Sequence, residues 1–103
     1  MQQDGVNMGD KLKSEEMDHL FEAILALQSV DECYKFFEDV CTVKELIAMA
    51  QRCEVARLLR EKQTYLDIAA KTGASTATIS RVNRSLNYGC DGYDLVFERI
   101  KSE

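Results

Sequence analysis

Proline is absent from all 103 residues, histidine occurs once, and no apolar run approaches the roughly 20 residues that a membrane-spanning helix needs. Without proline, no helical stretch meets a residue that lacks an amide donor. Strand-like alternation and internal repeats are also missing. The polar, acidic N-terminus is unlike a secretory signal. These absences leave an all-α chain of about six helices, one cytoplasmic domain, small for a monomer with a generous core. Metal chemistry is short of ligands, because His19 stands alone and Cys33, Cys41, Cys53 and Cys90 show no close C-x-x-C pair. The thiols read as reduced, small buried hydrophobes, with Cys90 the one expected at the surface. With no nucleophile or acid–base cluster, neither an enzyme nor a cofactor is expected.

Positive charge is in the minority, 13 Lys plus Arg against 18 Asp plus Glu, for a net charge of −5. A simple nucleic-acid binder would be basic. The distribution is uneven, however: residues 1–40 carry a net −7, residues 41–86 a net +4, and residues 87–103 a net −2. Screening beyond about 8 Å lets the local basic segment act despite the acidic remainder, which makes affinity steeply salt-dependent.

The basic segment contains the most informative stretch, Tyr65 to Arg84, which has the spacing of a helix-turn-helix. Ala69 is small where a second helix must cross closely. Gly73 follows by four residues, where the turn needs a conformation that glycine adopts without steric cost. Ser75 is placed to cap the second helix. Ile79, Val82 and Leu86 recur at three and four residues and share a buried face, which leaves Ala77, Ser80, Arg81, Arg84 and Tyr88 pointing outward. Such a face suits a major groove, with arginine bidentate to guanine and hydroxyls reaching phosphates or bases. Thr76, Ala77, Ser80, Arg81 and Arg84 are the expected groove residues, and Tyr65, Thr64 and Lys71 the expected backbone contacts. The rival reading, a protein-interaction module that uses the same hairpin without DNA, fits the acidic total.

Elsewhere, residues 1–13 lack periodicity and read as a disordered extension, with Met8 an alternative start. Residues 14–103 form the folded domain: dimerisation helices over 14–62, the helix-turn-helix over 64–87 and a C-terminal helix over 92–101. A helix opens at Ser14 with acids at its positive end. Its apolar stripe of Met17, Leu20, Phe21, Ile24, Leu25 and Leu27 is wider than one partner needs, which points to a dimer. A second helix starts at Asp31 and buries Cys33, Phe36, Phe37 and Val40. Thr42 and Glu45 make a capping box for a long third helix from Val43 to about Glu61, with Leu46, Ile47, Met49, Ala50, Cys53, Val55, Leu58 and Leu59 on its buried faces. Thr64 and Asp67 repeat the cap spacing. The recognition helix spans about Ser75 to Asn87, closed by Gly89 in a left-handed conformation, and Asp94 to Lys101 makes a last helix with Leu95, Val96 and Ile100 apolar.

From Leu20 to about Ile100 the chain resembles the Trp-repressor-like superfamily. The pieces Glu32 to Asp39, Met49 to Arg52 and Gly73 to Arg84 look like its YerC/YecD subgroup. The resemblance implies an intertwined homodimer in which the first three helices of both subunits share a core and two motif units project from it. It also implies a bacterial transcriptional regulator, a repressor, on a roughly palindromic double-stranded operator with half-sites about 10 base pairs apart. The residues that hold tryptophan in the Trp repressor have look-alikes in Thr42, Arg52, Arg81 and Ser85. Val82 stands where the repressor has glycine, and the stretch from Arg52 to Leu59 is one residue shorter. A β-branched side chain at Val82 takes space an indole needs, so tryptophan is disfavoured as the ligand. A smaller effector, or none, stays open, since Arg52 and Arg81 could instead bind phosphates or pair with acidic neighbours.

Overall fold

The computed structural model describes residues 11–102. All six elements named below are α-helices, and no strand occurs among the described residues. The chain divides between Cys41 and Thr42 into two compact units. Residues 1–10 of the expected N-terminal extension lie outside the described residues. No helix among those described is long and apolar enough to cross a membrane.

The first unit contains α1 (Glu15–Leu25) and α2 (Val30–Val40). Ser14 starts α1 by accepting from Met17 N at 3.0 Å, and Glu15, Glu16 and Asp18 complement the positive helix end. The helix closes at Ala26, so Leu27 falls beyond the stripe to which its periodicity assigned it. The second helix begins one residue earlier than Asp31, because Ser29 is its cap: Ser29 Oγ accepts from Glu32 N at 3.1 Å, and Glu32 Oε1 accepts from Gln28 N at 2.8 Å. Phe36 and Phe37 meet edge to face at 5.4 Å. Neither helix buries a residue fully, and Phe21, Leu25, Val30, Tyr34 and Val40 are exposed. The expected burial of Val40 is therefore not found, while Cys33, Phe36 and Phe37 are half-buried.

The second unit contains α3 (Val43–Arg60), α4 (Tyr65–Thr72), α5 (Thr76–Tyr88) and α6 (Gly92–Ser102). Thr42 and Glu45 form the capping box: Thr42 Oγ1 accepts from Glu45 N at 3.1 Å, and Glu45 Oε1 from Thr42 N at 2.8 Å. The Thr42 N–H, and after it the Thr42 hydroxyl, hold the Glu45 carboxyl below its ordinary range. At the other end, Lys62 takes a left-handed φ of 67°. Its N–H reaches Leu59 O at 3.0 Å and the Gln63 N–H reaches Leu58 O at 3.2 Å. This is a Schellman closure built on lysine instead of glycine.

The core lies at the C-terminal half of α3. Val55, Ala56 and Leu58 meet Ile68 of α4, Ala74 of the turn, and Ile79 and Val82 of α5. Leu59, Ala69, Leu86, Tyr93 and Phe97 pack around them. Each fully buried aliphatic side chain contributes about 1.5–3 kcal/mol. The N-terminal half of α3 is different: Val43 is 71% and Ile47 64% exposed, Met49, Ala50 and Cys53 are exposed too, and Leu46 is half-buried. Only the last third of the expected buried face is covered within one chain. The cysteines depart from expectation in the same way, since Cys53 joins Cys90 at the surface and Cys33 and Cys41 are half-buried.

Candidate nucleic-acid interface

Helices α4 and α5 are joined by the three residues Gly73, Ala74 and Ser75. Gly73 has φ 74°, the left-handed conformation that its place in the sequence required, and its N–H bonds Ala69 O at 2.9 Å. The Thr72 hydroxyl ties the joint on both sides, donating to Ile68 O at 2.8 Å and accepting from Ala74 N at 3.1 Å. From α3, Gln51 Nε2 donates to Thr72 O at 3.2 Å. Ser75 opens α5 by accepting from Thr78 N at 3.1 Å, with its own hydroxyl directed to Thr78 Oγ1 at 3.1 Å.

The underside of α5 is sealed: Ile79 is 0% and Val82 1% exposed. Helical periodicity then turns Ala77, Ser80, Arg81 and Arg84 to the other side, and all four are exposed. Thr76 and Ser85 are exposed as well. The helix has no acidic residue, and among the described residues neither arginine enters an ion pair. In contrast, Arg57 is bracketed by Glu54 and Glu61, and Arg60 by Asp94 and Glu98. Arg57 and Arg60 are thus engaged by carboxylates of their own chain, and Arg81 and Arg84 are not. At 13 residues the helix is about 20 Å long, a suitable length for a groove.

Thr64 and Tyr65 lie at the start of α4, where Thr64 Oγ1 caps the helix by accepting from Asp67 N at 3.1 Å. Lys71 lies at its end, exposed, with Nζ donating to Gln63 Oε1 at 2.7 Å. Leu66, next to Tyr65, is almost fully exposed and was not singled out by its sequence context. A threonine hydroxyl directly before the hinge glycine was a readable sign of the Thr72 ties, and it was missed. Gln51 gave no local sign, because its partner is 21 residues away.

Of the four look-alikes for an effector site, Arg81 and Ser85 share an exposed edge of α5 one turn apart. Thr42, the cap of α3, and Arg52 within it stand ten residues apart, about 15 Å along the helix axis. The Thr42 hydroxyl is occupied by the cap. Half-buried Arg52 lies near the Tyr93 phenol: burial raises the Tyr93 pKa most, Cys53 adds to the rise, and Arg52 opposes it. Among the described residues, no group of three or more His, Cys, Asp or Glu could hold a metal ion.

The Trp repressor protein family profile matches residues 15–101. The uncharacterised YerC protein of Bacillus subtilis strain 168 is 56% identical over 92 residues, 89% of this chain and 88% of that protein. Two solved structures share the fold. A TrpR-like protein from Eubacterium eligens is 66% identical with a TM-score of 0.87, over 89% of this chain and 95% of that one. A protein assigned as a Trp repressor from Staphylococcus aureus is 45% identical with a TM-score of 0.90, over 95% and 98%. With the profile covering nearly all of the described helices, the chain belongs to the Trp repressor protein family.

Proposed function

We propose that this chain is a cytoplasmic, homodimeric, sequence-specific binder of double-stranded DNA that represses transcription, and that tryptophan is not its effector. In this reading residues 14–62 make the dimer, residues 64–87 read DNA and residues 92–101 close the domain. The observation that carries it is the contrast between the two sides of α5: arginines without carboxylate partners on one, aliphatic side chains in the core on the other. Arg81 and Arg84 are the base readers, with Thr76, Ala77 and Ser80 against the groove wall. Thr64, Tyr65 and Lys71 flank it as phosphate contacts. The packing of Val82 into its own domain speaks against an indole beside α5.

Selection from a random duplex pool tests this reading, run at low salt with and without tryptophan. The parent enriches a roughly palindromic sequence equally in both arms. Arg81→Ala and Arg84→Ala each lose about 1–3 kcal/mol on the enriched duplex if they read bases. A parent that enriches nothing is a protein adaptor, as its acidic total would suit, and enrichment only with tryptophan overturns the effector statement.

A further inference from the structure

We infer that Gln51 is a positioning residue for DNA reading: its bond to Thr72 O locks the angle of the recognition helix to the long helix α3. The inference rests on the DNA-reading proposal above and adds to it a residue that never touches DNA.

Four observations support it. Thr72 is the last residue of α4, so its carbonyl has no partner within the helix and must find one elsewhere. Gln51 supplies that partner at 3.2 Å in a partly buried setting. A carbonyl only accepts, so the Gln51 amide must present its nitrogen. Among the described residues, this is the one hydrogen bond that runs from α3 to the α4 and α5 pair.

Position makes the bond consequential. Gln51 lies one turn before Val55 on the core-facing side of α3, and Thr72 one turn after Ile68 on α4. Val55 and Ile68 are both 0% exposed in the same core. The bond therefore forms the polar end of the α3–α4 contact, immediately before the hinge. The Thr72 hydroxyl carries the tie forward to Ala74 and back to Ile68, which pins Gly73 on both sides. Apolar packing is non-directional and resists separation more than rotation. A directional bond at the hinge resists rotation, and rotation is what would misplace Arg81 and Arg84.

The test uses the full chain. Gln51→Met keeps the length and removes the donor, while Gln51→Lys restores a donor. The two readouts are hydrogen exchange at the Gly73 and Ala74 amides without DNA, and the ratio of affinity for the enriched duplex to that for random duplex at one salt concentration. Gln51→Met should speed exchange and lower the ratio by about tenfold, the equivalent of one hydrogen bond. Gln51→Lys should recover much of the ratio, while helicity stays at the parent level in both. Unchanged exchange or an unchanged ratio in Gln51→Met overturns the inference. A parent that shows no preference between duplexes overturns the DNA-reading proposal itself, and the exchange data separate the two failures.

Discussion

Two glycines flank α5 and its cap, and they are needed for different reasons. Gly73 sits at φ 74° with open space where a Cβ would go, so the requirement there is on the backbone alone. Left-handed geometry costs an L-residue roughly 1–2 kcal/mol, less for asparagine. Gly73→Ala should therefore lower stability by about 1 kcal/mol once the stiffer unfolded chain is counted, and Gly73→Asn by less. Urea midpoints of the two variants check the order, and an alanine variant as stable as the parent would remove the hinge argument. Gly89 was expected to be left-handed too. It has φ −90° and ψ −149°, and an added Cβ would fall well inside contact with the backbone oxygen of Ser85. Glycine was legible in both places because helices end there; its purpose at Gly89 was not, because the close approach to Ser85 O depends on the angle at which the chain leaves the preceding turn.

At the scale of elements, the helix starts were the most readable part of the fold. Ser14, Thr42, Thr64 and Ser75 each bond an amide three residues on, chemistry that involves no distant residue. Which face of a helix meets the core was harder to read. Helix α6 carries two apolar sets, of which only Leu95, Val96 and Ile100 were named from the sequence. The structure packs Tyr93 and Phe97 instead, stacked at 6.2 Å, and leaves the other three exposed. Arg60 explains the choice: it pairs with Asp94 at 3.0 Å and with Glu98, and lies 5.5 Å from the Phe97 ring centre. The Arg60 side chain is 28% exposed, and its partners more so, which keeps each ion pair within about 0–1 kcal/mol. The cation–π contact adds about 0.5–1 kcal/mol. Arg60→Ala should thus lower stability by about 1–2 kcal/mol, with the deficit narrowing in high salt as the ion pairs are screened. Thermal melts of parent and variant at low and high salt measure it. A deficit that salt leaves unchanged would assign the whole effect to the contact with the Phe97 ring.

At the scale of the whole molecule, large apolar side chains stand exposed on the described helices of both units. In the first unit, Phe21, Leu25, Val30, Tyr34 and Val40 face solvent, and in the second, so do Val43, Ile47 and Met49 of α3. The amphipathic periodicity of α1 and α3 was legible, but periodicity alone does not say which apolar positions stay uncovered within the subunit. If the proposed homodimer is what covers them, Ile47 is the cleanest place to test it. Its side chain is largely exposed within one chain, so a change there leaves the subunit core of Val55, Ile68, Ile79 and Val82 untouched. Two-fold symmetry counts the substitution twice. Losing about 1.5–3 kcal/mol of apolar burial at each copy weakens the dimer by at least about a hundredfold. Ile47→Asp should therefore sediment as a monomer at concentrations where the parent is a dimer, with helicity kept. Its affinity for a two-half-site duplex should fall far more than its affinity for one half-site, since Arg81 and Arg84 are unaltered and only the second reading helix is lost. A parent that sediments as a monomer, or a variant that still sediments as the dimer, removes this face from the interface, and the palindromic operator loses its geometric basis.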